Sequence, residues 1–162
     1  MKAEEFLRWK GDRLRKQALL RQRLPSLKKR KGPALDQEAS VLHTAVFSRL
    51  DCLACAQCCK TIPPMVNKTD AARIAKHLRM TEGAFYAQYL RRDEDGDTVM
   101  NASPCPFLEQ DHRCSIYEHR PKACRAYPHT DQDFSKNLDL HVRNVAYCPA
   151  VYQIMERLAG LG

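Results

Sequence analysis

The chain has 162 residues, of which 44% are hydrophobic and 7% are aromatic. This length predicts one domain with a terminal arm. The few aromatic residues predict a small apolar core, so a bound metal is expected to supply part of the folding energy. The chain's net charge of +8 is carried by residues 1–50, with 13 Lys/Arg and 5 Asp/Glu, whereas residues 51–162 hold 14 of each. No segment approaches the ~20 apolar residues of a membrane span, and the N-terminus lacks the apolar stretch of a secretory signal. We therefore expect a cytoplasmic protein without a membrane span, in which cysteine side chains stay reduced.

A basic helical arm is predicted at the start of the chain. Between Ala3 and Leu24, leucines and Phe6 alternate with Arg and Lys, and good helix formers dominate. Pro25 and the stretch 26–33, with Lys28-Lys29-Arg30-Lys31, predict a basic linker. We expect residues 1–33 to be arm and linker and residues 34–162 to form the metal-binding domain. The arm is interpreted either as a contact for phosphates of RNA, DNA or anionic lipid, or as a solvated terminal helix.

The other predicted elements are mostly helical. Thr69 before Asp70 and Thr81 before Glu82 are each typical of a helix N-cap, and Pro149 is typical of a first helical turn. In chain order we expect helices over 35–50, 71–78 and about 82–90, an acidic loop over 91–97, irregular turns and short strands over 98–130, and a helix that begins at Pro149. The fold class predicted is mostly α, with irregular cysteine-rich loops pinned by metal.

Four of the eight cysteines are packed into eight residues, in the pattern Cys52-x2-Cys55-x2-Cys58-Cys59. Thiols at two-residue gaps can turn inward around one small inorganic centre, and reduced thiolates are good ligands for zinc and iron. The candidate metal ligands are all eight cysteines of the chain: Cys52, Cys55, Cys58, Cys59, Cys105, Cys114, Cys124 and Cys148. Six histidines are further donors in principle, with His112 and His119, which flank Cys114, the best placed.

The spacing of the cysteines indicates which kind of metal centre they form. Closed zinc sites are often built from two C-x2-C pairs, and no second such pair follows here. A C-x2-C-x2-C run with a separate cysteine before proline is typical of [4Fe–4S] sites, and Cys105 and Cys148 both precede proline. Because adjacent side chains diverge, Cys58 and Cys59 are expected to serve different centres. We expect one centre at Cys52, Cys55, Cys58 and one Cys-Pro cysteine, and a second at Cys59 with some of Cys114, Cys124 and the remaining one.

The stretch Cys105-Pro-Phe-Leu, followed by Cys114-Ser-Ile-Tyr-Glu-His-Arg120-Pro-Lys-Ala-Cys124-Arg125, resembles the YkgJ-type cysteine-cluster family, also described as the CxxCxxCC zinc- or iron-chelating domain. The match covers about residues 51–150 and includes all eight cysteines. The resemblance implies a metal-chelating domain, with a [4Fe–4S] cluster or Zn²⁺ as cofactor. A similar cluster occurs in flagellin lysine methylases, but this chain shows no separate S-adenosylmethionine-binding region.

Three functions stay open on sequence alone. The first is a cytoplasmic metal-binding protein that holds an Fe–S cluster or zinc and serves a protein client of unknown identity. The second is a zinc-folded module whose basic arm, residues 1–33, binds RNA or DNA. The third is an Fe–S accessory protein of a modification enzyme. Arg120 and Arg125 are expected either to offset thiolate charge or, in the case of Arg120, to cap a turn.

Overall fold

A computed structural model describes residues 3–161 of the chain. The α-helices, in chain order, are α1 (Ala3–Lys28), α2 (Gly32–Phe47), α3 (Cys52–Cys55), α4 (Gln57–Thr61), α5 (Lys68–His77), α6 (Glu82–Tyr89), α7 (Lys122–Ala126), α8 (Leu138–Asn144) and α9 (Pro149–Leu158). Two short strands, β1 (Leu90–Arg92) and β2 (Thr98–Met100), pair antiparallel, with Arg91 opposite Val99. Two 3-10 helices cover Tyr117–His119 and Phe134–Asn137. The prediction of a mostly α fold is confirmed.

The chain divides into two compact units. The helical unit consists of Met1–Cys52 and Pro128–Gly162, and the cysteine unit consists of Leu53–Tyr127. The arm predicted over residues 1–33 therefore belongs to the same unit as residues 128–162.

The helical unit has an apolar core to which α1 contributes directly. Trp9 and Leu20 of α1 are buried beside Val145 and Ile154, which lie just after α8 and in α9. Trp9 Nε1 donates a hydrogen bond to the carbonyl oxygen of Val145 at 2.9 Å, so the indole's one polar atom is satisfied inside the core. Burial of this apolar face, at ~25 cal/mol for each Å² removed from water, holds α1 in the unit.

Part of the basic charge of α1 is used inside this unit. Lys16 and Glu156 are both buried, and their Nζ and Oε1 atoms lie 2.7 Å apart. The same carboxylate accepts from the Arg8 guanidinium at 2.5 Å, while the Tyr152 hydroxyl donates to Asp12 at 3.0 Å. A buried charge is tolerated only when it is paired, so these contacts fix α1 against α9 as well as offsetting desolvation.

The cysteine unit has a second, smaller core. Phe85, Ile74 and Met100 are fully buried where α5 and α6 pack together and the β1–β2 hairpin closes over them. The hairpin loop holds the acidic stretch, and Gly96 takes a left-handed φ of 83° that favours glycine. The prediction of a loop over 91–97 is correct except at its first two residues, which pair in β1.

Helix boundaries match the sequence expectations in part. The Thr81 side chain accepts a hydrogen bond from the Ala84 N–H at 3.2 Å, and α9 begins at Pro149, so both predictions are confirmed. The predicted cap at Thr69 is wrong: Asn67 caps α5 by accepting from the Asp70 N–H at 2.8 Å. α1 continues through Pro25 to Lys28, and α2 covers Gly32–Phe47 rather than 35–50. Within residues 3–161, none of the helices is long and apolar enough to cross a membrane.

Candidate metal centre

The cysteine run folds into two short helices separated by one strained residue. α3 ends at Cys55, Ala56 takes a left-handed φ of 48°, and α4 begins at Gln57 and carries Cys58 and Cys59. A left-handed conformation is unfavourable for a residue with a Cβ, and such strain is concentrated at functional sites. The break redirects the chain between Cys55 and Cys58, because the two helices cannot continue along one axis through it.

Later segments of the chain bring three more cysteines to the same unit. The Cys105 N–H donates to the Cys59 carbonyl oxygen at 2.8 Å, which holds the Cys105-Pro106 turn against α4. Cys114 lies in an isolated antiparallel bridge with Leu108, and Cys124 lies in α7. The unit therefore contains six of the predicted ligands: Cys55, Cys58, Cys59, Cys105, Cys114 and Cys124.

Burial raises the pKa values of Cys105, Cys114 and Cys124. Desolvation raises the pKa of Cys124 to about 12, with smaller contributions from Cys59, Cys105 and Cys114. Desolvation likewise raises the pKa of Cys105 to about 11, with Cys59 and Cys114 adding to it. The pKa of Cys114 is raised by desolvation too. Four thiols thus lie close enough to oppose one another's ionisation, and a bound cation would relieve that opposition.

The adjacent cysteines Cys58 and Cys59 differ from the other thiols in their ionisation. The Sγ atoms of Cys58 and Cys59 lie 3.9 Å apart. The hydrogen bond from Cys58 lowers the pKa of Cys59 to about 7, against the desolvation that opposes it. Cys59 is therefore shifted toward the thiolate, the form that binds metal, whereas burial shifts Cys55, Cys105, Cys114 and Cys124 away from it.

Two cations lie next to the thiols. The positive charge of Lys60 favours ionisation of Cys55 and Cys59, and that of Arg120 favours ionisation of Cys114 and Cys124. Arg120 also donates to the Tyr117 carbonyl oxygen at 2.6 Å and stacks over its ring at 3.8 Å. The interpretation that Arg120 caps a turn is thus supported by its bond to Tyr117, and its offset of thiolate charge in a metal centre stays a prediction.

His112 is engaged by other groups. Lys60 Nζ donates to His112 Nε2 at 2.8 Å, and His112 Nδ1 lies 3.2 Å from the Ala54 carbonyl oxygen. Because a carbonyl only accepts, Nδ1 carries the ring proton in this arrangement. His119 stacks on His77, with ring centroids 4.1 Å apart.

Asp70 is a residue that sequence reasoning missed as a support for the site. Its buried carboxylate accepts from Arg73 at 2.6 Å and from the Lys122 N–H at 3.1 Å, and it lies 3.9 Å from the Arg125 guanidinium. Arg73 in turn donates to the Arg120 carbonyl oxygen at 3.0 Å. These bonds hold the Arg120-Pro121 turn and the start of α7, which carries Cys124, against α5. The stretch Arg-Pro-x-x-Cys-Arg is therefore anchored by a carboxylate about fifty residues earlier in the chain.

The other two predicted ligands belong to the helical unit. Cys52 is exposed and is the last residue of that unit's first segment. Cys148 is half-buried, directly precedes α9, and packs against the apolar core. The structure thus assigns six cysteines to one unit and two to the other.

All eight cysteines lie in the described part of the chain, and none of them forms a disulfide there. Among residues 3–161, no three His, Cys, Asp or Glu side chains are already placed to hold one metal ion. The donor chemistry nevertheless fits zinc or iron, because half-buried thiols that oppose one another's ionisation, with cations beside them, suit a thiolate centre. Binding would need the side chains to close around the ion.

Comparison with known proteins agrees with this chemistry. An uncharacterized protein of Methanocaldococcus jannaschii is 30% identical over 106 residues, which cover 62% of this chain and 57% of that protein. No solved structure matches the chain. A family model described as "CxxCxxCC: Putative zinc- or iron-chelating domain" matches residues 51–148, from the residue before the first cysteine to the last cysteine. The chain belongs to this CxxCxxCC family.

Proposed function

We propose that the protein is a cytoplasmic chelator of zinc or iron whose principal centre is formed by Cys59, Cys105, Cys114 and Cys124. The observation that supports this set is electrostatic: each of the last three has its pKa raised by Cys59, and two of them act on Cys124 as well. Such mutual opposition arises only between groups that are near one another in a poorly solvated place.

The order of ionisation suggests how the centre fills. Cys59, with its pKa of about 7, supplies the first thiolate, and the three thiols whose pKa values are raised lose their protons only as the cation arrives. When bound, zinc would cross-link the loops, and an iron–sulfur cluster would add electron transfer. Lys60 and Arg120 would offset the net negative charge that four thiolates leave on either type of centre.

The other two cysteines of the cysteine unit, Cys55 and Cys58, are proposed to serve a second centre. They lie on either side of Ala56, in the same unit as the principal centre. This partition gives the adjacent Cys58 and Cys59 to different centres.

Metal analysis and a UV–visible spectrum of protein purified without oxygen test the proposal. Iron and labile sulfide with a broad brown absorption would identify an iron–sulfur protein, and colourless protein with zinc would identify a zinc chelator. Protein that contains neither metal, and that takes up neither after reconstitution, would refute the proposed function.

Single Cys→Ser variants test the partition. We expect Cys124→Ser to remove the metal of the principal centre and keep that of the other, and Cys55→Ser to do the reverse. Both variants should leave the fluorescence of Trp9 unchanged, since Trp9 is in the core of the helical unit and both cysteines belong to the cysteine unit. If each variant retained the full metal content, neither cysteine would be a ligand and the assignment would be wrong.

A further inference from the structure

α1 presents an apolar seam to solvent, opposite the face that it buries in the helical unit. Leu7 and Leu14 are 66% and 64% exposed, which is unusual for leucines in a long helix whose other face contributes Trp9, Leu20 and Leu27 to a core. They are one heptad apart, and residues at this spacing lie on the same side of a helix.

The other two positions of the seam, one between the leucines and one after them, hold small residues. Gly11 and Ala18 are also exposed, and with Leu7 and Leu14 they occupy positions 7, 11, 14 and 18. This alternation of four- and three-residue steps is the spacing of the seam in a two-helix coiled coil. At 1.5 Å per residue the seam is about 17 Å long. A Cβ added at Gly11 would meet nothing within 4 Å, so a neighbouring helix could approach closely there.

The edges of the seam are basic. Lys10 lies on one edge and Arg15 on the other, while Arg21 lies one heptad after Leu14, at the C-terminal end of the seam; Glu4 and Asp12 are acidic residues nearby in α1. Among the described residues, Lys10 and Arg21 form no salt bridge, whereas Arg15 pairs with Asp12 at 2.6 Å. Cations that flank a narrow apolar seam favour a partner with acidic residues at the corresponding edges.

We propose that this seam of α1 (Leu7, Gly11, Leu14 and Ala18) docks an amphipathic helix of another protein, with leucine-like residues along its seam and Asp or Glu on its flanks. A second copy of this chain is disfavoured, because pairing α1 with itself places Lys10, Arg15 and Arg21 against like charges. The proposal concerns a surface of the helical unit and does not depend on which metal the cysteines bind.

Nucleic acid is a weaker match to the same face. Contacts with phosphates need cations, and they do not need an apolar seam between those cations. In the basic stretch 28–31, Lys28 pairs with Asp139 at 2.8 Å and Arg30 pairs with Glu38, so half of its charges are already used within the protein.

Two synthetic helical peptides of about three heptads test the proposal, both with Leu at a and d, one with Glu and the other with Lys at e and g. The full-length, metal-loaded protein is titrated with each by fluorescence anisotropy. We expect the Glu peptide to bind at least about tenfold more tightly than the Lys peptide, and its affinity to fall as salt is raised.

The double variant Leu7→Gln/Leu14→Gln should weaken binding of the Glu peptide by about tenfold or more, because it removes the apolar contact. The matched control is Val41→Gln, which replaces a 65% exposed apolar residue of α2 outside the seam and should leave affinity within about twofold. Since all three side chains are exposed, circular dichroism should show unchanged folding.

Three results would overturn the proposal. The first is equal binding of the two peptides, or binding that the double variant leaves intact. The second is binding of a single-stranded RNA oligonucleotide more tightly than the Glu peptide, unaffected by the double variant, which would make the face a nucleic-acid site. The third is dimerisation of the protein that the double variant abolishes, which would make a second copy the occupant.

Discussion

His141 should make the helical unit sensitive to acid. Its side chain is fully buried in α8 and stacks on Phe134, with ring centroids 4.1 Å apart. Neither ring nitrogen has a well-formed hydrogen bond within the described chain. Desolvation, with a smaller contribution from His129, lowers the pKa of His141 to about 4 from its ordinary 6.5. Of the charged groups on the packed helices, Lys28 pairs with Asp139, and Glu156 pairs with Lys16.

The sign and size of the effect follow from linkage. Between pH 6.5 and about 4 the unfolded chain binds a proton at this residue that the folded chain does not, so the stability present above pH 6.5 is lost as pH falls. The full difference between the two pKa values corresponds to about 3 kcal/mol, of which about 2 kcal/mol is lost at pH 5.

Urea unfolding at pH 7 and pH 5 measures this, with the fluorescence of Trp9 as the probe. Trp9 is the single tryptophan of the chain, and it is hydrogen-bonded to Val145 next to α8, so its signal reports on the helical unit. The comparison variant is His141→Met, which has similar volume, does not titrate and packs well against an aromatic ring. Acid effects that arise elsewhere, including loss of metal, cancel between the two proteins.

We expect the wild-type protein to lose about 2 kcal/mol more between pH 7 and pH 5 than His141→Met does. At pH 7 the variant should be as stable or more stable by about 1 kcal/mol, because it removes buried nitrogens without hydrogen bonds. Equal losses in the two proteins would show that His141 is not held neutral by burial, and the reasoning would fail.

Two further variants test the packing of each unit. Leu20→Ala should destabilise the helical unit by about 2–5 kcal/mol in urea unfolding followed by Trp9, because Leu20 is fully buried. Leu14→Ala, at an exposed position of the same helix, should change stability by less than about 0.5 kcal/mol, and a similar loss in both would contradict the assigned core. Asp70→Asn should cost about 2 kcal/mol and weaken metal retention, because it releases the start of α7; hydrogen exchange in that helix measures the release. The control is Asp111→Asn, which lies in an exposed ion pair. If hydrogen exchange in α7 were unchanged in both variants, Asp70 would not be a support of the site.

Local chemistry in the sequence was sufficient for several elements. The Thr81 cap acts over three residues and the proline at the start of α9 acts on its own φ, so neither needs the rest of the fold. The cysteine spacing indicated a metal-chelating domain for the same reason, since two-residue gaps already keep thiols near one another, and the family match agrees with that prediction.

The start of α5 depended on contacts that a local pattern does not contain. Both Asn67 and Thr69 are able to cap a helix, and the sequence favoured Thr69. In the structure the Val66 N–H donates to the Thr98 carbonyl oxygen at 2.8 Å, and Met65 bridges Val99, which keeps residues 65–66 extended. The helix therefore begins directly after them, at Lys68, and Asn67 takes the cap.

What the sequence by itself determined is the chemistry of the protein: a mostly α chain, a thiol-rich stretch suited to zinc or iron, and a basic first helix. Only the tertiary structure decided which residues meet across long separations. It placed Trp9 against Val145, Asp70 against Lys122, and the Cys105 N–H on the Cys59 carbonyl oxygen. The physical reason is that a side chain's burial and partners depend on which segments pack together, and that packing is a property of the whole unit and not of any local pattern.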